Sequence, residues 1–263
     1  MIATPLMEKN NSASRLLRLF QDNHGKQQNT QVISIWAEAF GLPSQLPQTD
    51  MAVELSALLS TADRELQTIK STLLARGVPD GLVAPYIERG RSAVSTTLLP
   101  TTWNNVTQYF SQDTLLAYQW FSYLLDEEIQ SINPEDVSKL LEEIANLETE
   151  LQTAELSPGL KQFLLSHLKA MQDALRQSRI AGAKPIQRAV RTVQSDCEFE
   201  GEHLSAEIKA TPDKSTAKKA GEKFTNIWKK AVELSGDIEK IQKGAKTLSE
   251  TAVAVISFIS DKS

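Results

Sequence analysis

The sequence has 263 residues, 41% of them hydrophobic and 23% charged, which is typical of a globular protein and excludes wholesale disorder. Its net charge of −5 argues against general binding to polyanions, and a single cysteine, Cys197, excludes an internal disulfide framework. No segment approaches the ~20 apolar residues that a membrane-spanning helix needs. Residues 1–10 lack the layout of a signal peptide. These features predict a soluble, cytoplasmic protein.

Helix signals dominate the first third of the chain. A short helix is predicted over residues 12–23, and a second begins at the N-cap Thr30 and stops at Gly41. A long helix over residues 50–76 follows. Its apolar residues repeat at alternating spacings of four and three, which is the heptad pattern of a packed helix face. They are Leu55, Leu59, Ala62, Leu66, Ile69 and Leu73.

Aromatic residues concentrate in the middle of the chain, beyond a shorter helix predicted over residues 82–94. Residues 103–123 hold seven of the 16 aromatics, and we predict a helix over residues 112–125. Only neighbours three or four residues apart share a helix face, so Trp120, Phe121 and Tyr123 cannot all point to one side. The cluster is therefore either core or, in part, a partner-binding surface. Trp120 and Tyr123 are our candidate partner-binding residues in this region.

An antiparallel helical hairpin is predicted after residue 132. Asn133 and Pro134 form an N-cap followed by a first-turn proline, and Ser157 and Pro158 repeat that start signal. The first helix has a second heptad face, which consists of Val137, Leu140, Ile144, Leu147 and Leu151. The short break between the two helices indicates that they run antiparallel.

The sequence of this hairpin resembles that of other helical proteins. The stretch from Pro134 to Ala183 contains LSPGLKQFLL at Leu156–Leu165 and RIAGA at Arg179–Ala183. With these segments it resembles uncharacterised helical proteins of bacterial genomes. The resemblance implies a bacterial origin and an all-helical fold, and it implies no activity.

The least periodic region, residues 197–212, marks the predicted domain boundary. We predict an all-α fold, with a multi-helix bundle over residues 1–200 and a basic two-helix extension over residues 201–263. The last helix begins near Asp237 and has the strictest heptad pattern of the chain. Its candidate partner-binding residues are Ile238, Ile241, Leu248, Val255 and Ile259.

Motifs for catalysis or cofactor binding are absent. The chain contains no glycine-rich phosphate-binding loop and no G-x-S-x-G nucleophile elbow, so we predict no cofactor. The one Glu-x-x-His pair is Glu200 with His203, and Cys197 lies nearby in sequence. Cysteine and histidine are the donors that zinc prefers, so these three residues are candidate metal ligands. The alternative is a solvated acidic loop with an incidental thiol, which the sequence favours because paired Cys or His spacing is missing.

Charge is unevenly distributed. Residues 126–155 have a net charge of −9, whereas residues 209–246 have a net charge of +5. The two regions are either ordinary solvated helix faces, or partners of each other, or the basic one attracts nucleic acid or anionic lipid. No arginine follows Arg191, so bidentate recognition of bases or phosphates there is excluded. We therefore predict no specific nucleic-acid binding.

The sequence favours a non-enzymatic protein: a helical protein–protein interaction module or an accessory subunit of a bacterial system. Its partner would be another protein or a second copy, bound through helical surfaces. One alternative is a membrane-acting or toxic effector that works through the C-terminal helix. A second alternative is a metal-dependent enzyme that uses the cluster at residues 196–203.

Overall fold

The computed structural model describes residues 9–236, and this part of the chain is all α-helical, which confirms the predicted fold class. Eleven α-helices and one 3-10 turn account for its regular structure, and the only β pairing among these residues is an isolated bridge between Gln31 and Thr102. The helices are α1 (Ser12–His24), α2 (Val32–Phe40), α3 (Gln48–Ala75), α4 (Asp80–Ala93), α5 (Asn104–Thr107), α6 (Gln112–Leu124), α7 (Pro134–Thr153), α8 (Pro158–Ala181), α9 (Lys184–Phe199), α10 (Gly201–Ala210) and α11 (Lys214–Ser235).

The described residues divide into two compact units. Unit 1 comprises residues 9–131 together with the short segment Arg179–Gly182, and unit 2 comprises residues 132–178 and 183–236. The boundary predicted near residue 200 falls inside unit 2, where α10 and α11 pack with α9. The second helix of the predicted extension, beyond Asp237, lies outside the described residues.

Unit 1 is built from α1 to α6 around an aromatic core. Helix α1 packs on α6, and α3 packs on α4. All six residues of the predicted heptad face of α3 are buried, so that face lines the core as the spacing indicates. The largest fully buried side chains of unit 1 are Trp36, Trp103, Tyr118, Phe20, Phe40 and Phe110.

Unit 2 contains the predicted helical hairpin of α7 and α8, together with α9, α10 and α11. All five residues of the predicted heptad face of α7 are buried, and α11 packs against both α7 and α9. Trp228 of α11 is almost fully buried, and its indole N–H donates to the carbonyl of Val190 at 3.4 Å. The core is otherwise dominated by aliphatic side chains.

Two ion pairs join α7 to α11. The ammonium of Lys223 lies 2.6 Å from Glu150, and that of Lys230 lies 2.5 Å from Glu143. The two lysines are seven residues apart and pair with glutamates seven residues apart in the opposite order. The helices therefore run antiparallel, and part of the basic section pairs with part of the acidic section.

Candidate functional site

Helix α6 has a buried face that anchors it in unit 1. Tyr118 is fully buried, and its hydroxyl donates to the carbonyl of Tyr86 at 3.2 Å. Its ring stands edge-on to Phe20 at 5.2 Å between centroids. Phe121 is also buried and packs against Tyr118 at 5.6 Å. These contacts fix the rotation of α6 about its axis.

The opposite side of α6 is exposed and apolar. Leu116 is 53% exposed, Trp120 60%, Tyr123 59% and Leu124 40%. We call these four residues the α6 face. Trp120, Tyr123 and Leu124 follow Leu116 by four, seven and eight residues, so all four side chains share one side of the helix. Phe121 points the other way, as helical spacing requires for a residue next to Trp120. Trp120 and Tyr123 are thus accessible to a partner.

Two cations hold the C-terminal end of α6 in place. The ammonium of Lys9 donates to the carbonyls of Tyr123 at 2.7 Å and Leu125 at 3.1 Å, and it lies 5.2 Å from the Tyr123 ring centroid. The guanidinium of Arg76 donates to the carbonyl of Leu124. The last carbonyls of a helix have no intrahelical donor, so these contacts satisfy them and stabilise the end of the helix.

The α6 face itself is uncharged, and charges lie at its two ends. At the N-terminal end Arg89 pairs with Asp113 at 2.6 Å, and at the C-terminal end Arg76 pairs with Asp126. A hydrogen bond from the Ser111 hydroxyl, aided by Arg89, lowers the pKa of Asp113 to about 2. Asp113 therefore stays ionised beside Arg89 at neutral pH.

The proposed metal ligands have a different setting in unit 2. Cys197 lies in the core on α9, and burial, reinforced by Asp196 and Glu200, raises the pKa of its thiol to about 12. Glu200 stands between α9 and α10, and His203 is on an exposed part of α10. Across residues 9–236 no group of three His, Cys, Asp or Glu side chains could hold a metal ion. The geometry therefore gives no support to a metal centre here.

Sequence reasoning missed one buried titratable residue, His167 of α8. Its side chain lies 3.7 Å from the Asp196 carboxylate and packs edge-on against Phe163 at 4.3 Å between centroids. Burial lowers the pKa of His167, while Asp196 and Glu200 oppose that shift. Position 167 follows the buried Leu164 by three residues, so the helical period places it on the core side.

A hollow of about 200 Å³ lies between α7 and α11. Leu147, Leu151 and Ala220 line it, and Glu150 and Lys223, which also line it, pair with each other. The hollow lies where α11 has the small side chains Thr216 and Ala220. It exposes far less apolar surface than the α6 face does.

The other candidate partner-binding residues, Ile238, Ile241, Leu248, Val255 and Ile259, lie outside the described residues. Among the helices of residues 9–236, none is both long enough and apolar enough to cross a membrane. No protein-family model, no curated protein and no solved structure matches this chain. The candidate site therefore rests on the chemistry of the α6 face.

Proposed function

We propose that this chain is a non-enzymatic protein–protein interaction module and that the α6 face is its docking surface. The observation that carries the proposal is the exposure of four large apolar side chains on one side of a helix whose other side is fixed in the core. The face is therefore presented on a rigid support rather than on a loop.

The size and composition of the α6 face support protein binding. Trp120 and Tyr123 at their observed exposure, with the two leucines, present roughly 400 Å² of apolar surface, which is the size of patch that is often functional on a monomer. Tryptophan and tyrosine are enriched among the residues that contribute most to binding energy. The spacing of the four residues also matches the anchors used when one helix packs on another surface.

The chemistry of α6 distinguishes a protein partner from a membrane. Helices that lie on membranes carry lysine and arginine beside their apolar face to bind anionic lipid. The one charged residue within α6 is Asp113, which is acidic. Of the cations beside its ends, Arg89 and Arg76 are paired with carboxylates, and Lys9 donates to backbone carbonyls of the helix end. The α6 face therefore fits a neutral apolar partner surface better than an anionic bilayer.

Site-specific photo-crosslinking tests this function. A benzophenone amino acid replaces Gln119, which is exposed beside Trp120 and is not part of the α6 face, and the chain is produced in its natural host. The control position is Val53 of α3, which is 71% exposed. Val53 lies about 34 Å along α3 from Arg76, which contacts the end of α6.

We expect crosslinked products from position 119 that position 53 does not give. Those products should disappear when Trp120→Glu is added, because a carboxylate in the centre of the α6 face would have to be buried in the complex. Equal crosslinking at positions 119 and 53, or crosslinking that survives Trp120→Glu, would show that the α6 face is not a docking surface.

A further inference from the structure

We propose that the occupant of the α6 face is the same face of a second copy, packed antiparallel about a two-fold axis beside Trp120. This inference rests on the proposed function and specifies the partner. The resulting contact is isologous, so each copy contributes the same residues.

The spacing of the α6 face is self-complementary. Leu116 lies four residues before Trp120, and Leu124 lies four residues after it. A two-fold axis beside Trp120 and perpendicular to the helix exchanges these positions, so Leu116 of one copy meets Leu124 of the other. The two Trp120 side chains then meet at the centre, and Tyr123 lies beside Leu116 of the other copy. Every large apolar side chain of the face gains an apolar partner.

The charges at the ends of α6 are compatible with this arrangement. Antiparallel packing brings the Asp113 end of one copy toward the Asp126 end of the other. Each end already carries a carboxylate paired with a guanidinium, Arg89 at one end and Arg76 at the other, and Lys9 adds one positive charge at the C-terminal end. Antiparallel packing brings Lys9 of one copy toward the Asp113 end of the other copy and keeps the two Lys9 ammonium groups apart, so like charges do not oppose association.

The area of the α6 face is in the range of weak, transient contacts. The four side chains bury about 400 Å² per copy and roughly 800 Å² in total, below the ~1,200 Å² at which stable complexes begin. A face of this size is suited to a reversible dimer that dissociates on dilution. Among the other strongly exposed apolar side chains of unit 1, Val53 lies on α3 and Ile129 in the segment between α6 and α7, so neither belongs to the α6 face.

Sedimentation velocity of the full chain over a wide range of concentration is the first test. We expect the average mass to rise from that of one chain toward that of two. Trp120→Glu should weaken dimerisation by about tenfold or more, because the central aromatic anchor is lost. Val53→Glu, an equally exposed change on α3, should dimerise as the unaltered chain does. Circular dichroism checks that both variants keep their helices.

Chemical crosslinking tests the antiparallel geometry. In a Cys197→Ala background, Gln119→Cys lies beside the proposed axis and should be joined to its copy by a short bis-maleimide. Gln112→Cys lies about 12 Å along the helix from Trp120 and so about 24 Å from its copy, and it should remain uncrosslinked. Efficient crosslinking at both positions would indicate parallel helices and overturn the proposal.

The outcomes separate this inference from the proposed function. A chain that stays monomeric at every concentration, while position 119 photo-crosslinks to a different protein, overturns the second copy and leaves the docking function intact. A monomeric chain with no specific photo-crosslink overturns both. Dimerisation that Trp120→Glu leaves unchanged also overturns the inference. Photo-crosslinked peptides from the chain itself, together with the loss of dimer in Trp120→Glu, support both.

Discussion

The two units of this protein are stabilised by different kinds of contact. In unit 1, aromatic rings from distant segments of the chain meet in the core: Phe20 lies 4.8 Å from Phe110, and Trp36 lies 5.2 Å from Trp103, measured between ring centroids. The indole N–H of Trp103 also donates to the carbonyl of Asn23 at 3.1 Å. In unit 2, patterned aliphatic faces form most of the core, and ion pairs join α7 to α11.

This difference has consequences for how each unit responds to change. Aromatic rings have fixed shapes, so a core built from them tolerates little added volume. The packing of aliphatic helix faces depends on a repeated pattern of residues. The charge of nearby titratable groups varies with pH, and the strength of their ion pairs varies with salt. Unit 1 has ion pairs of its own, so ionic strength does not separate the two units. We therefore expect unit 1 to be more sensitive to added atoms, and unit 2 to be more sensitive to the loss of a buried hydrogen bond and to mild acid, because it holds the buried His167.

Gly90→Ala should produce the largest effect, in unit 1. A Cβ at this position of α4 would overlap the Tyr118 hydroxyl and would lie 3.0 Å from a methyl of Leu66. Both neighbours are fully buried, so the added methyl group has no free space to enter. We expect the free energy of unfolding to fall by about 2–3 kcal/mol. Urea denaturation measures the change.

Two further variants separate the clash from a simple helix effect. Gly81→Ala is the same change in the first turn of the same helix, where nothing lies within 4 Å of the added Cβ. It should stabilise the protein by about 0.5 kcal/mol through helix propensity. Adding Tyr118→Phe to Gly90→Ala removes the overlapping hydroxyl and should recover part of the loss. A neutral Gly90→Ala would show that the aromatic core of unit 1 tolerates added volume.

Thr211→Val should give the next largest effect, in unit 2. The Thr211 hydroxyl accepts a hydrogen bond from the backbone N–H of Ser157 at 3.1 Å, just before α8. Thr211 and Ser157 are both buried, so water cannot replace that acceptor. Because valine keeps the shape and removes the oxygen, we expect a loss of about 1–2 kcal/mol in the free energy of unfolding.

Thr225→Val in the same unit is the matched control. The Thr225 hydroxyl donates to the Gly221 carbonyl within α11, a local bond that valine can lose at little cost. Its effect should stay within about 0.5 kcal/mol of zero. Equal losses in the two variants would show that the hydrogen bond between Ser157 and Thr211 contributes nothing specific.

Much of the helical fold could be predicted from the sequence because helix faces repeat. The heptad faces of α3 and α7 were located residue by residue, since burial of one side of a helix leaves a period that a single sequence displays. The exposure of part of the aromatic cluster followed from the same period, because Trp120 and Phe121 cannot share a face. Periodicity could not identify which distant side chains meet, such as Tyr118 and Gly90.

Short helices with few apolar residues were harder to predict. Residues 197–212 appeared irregular, yet α9 continues to Phe199 and α10 spans Gly201–Ala210. Only two residues of α10, Leu204 and Ile208, are buried, so the helix shows a single four-residue spacing and no longer pattern. α10 packs against α9 and α11, and it lies in the same compact unit as these two helices.

Acid should destabilise unit 2 through His167. Burial lowers the pKa of His167 in the folded protein below its ordinary value near 6.5, so the unfolded chain binds a proton more readily. The free energy of unfolding should therefore fall as the pH drops below about 6.5, and the fall should level off once the pH passes the lowered pKa. Urea denaturation between neutral pH and the range where carboxylates titrate measures this slope.

His167→Gln should remove most of this pH dependence, because glutamine keeps a polar side chain that does not titrate. Hydrogen exchange should also show α8 and α9 losing protection on acidification before the helices of unit 1 do. A slope that persists in His167→Gln would assign the acid sensitivity to other groups and would weaken the contrast between the units.

The ion pairs between α7 and α11 should have the smallest effect. The side chains of Lys230 and Glu143 are 51% and 40% exposed, and pairs of this exposure contribute about 0.2–1 kcal/mol. Glu143→Lys places two ammonium groups together and should cost about that amount, while Glu143→Lys with Lys230→Glu should restore most of it. Molar salt should reduce both effects.

Full recovery in the double variant would show that the buried face of α7 sets the pairing of the two helices and that the charges only reinforce it. Exchanging the two charges leaves the buried residues Ile144 and Leu147 in place. A double variant as unstable as the single one would instead show that the orientation of each charge matters, and unit 2 would then depend on electrostatics more strongly than its aliphatic core implies.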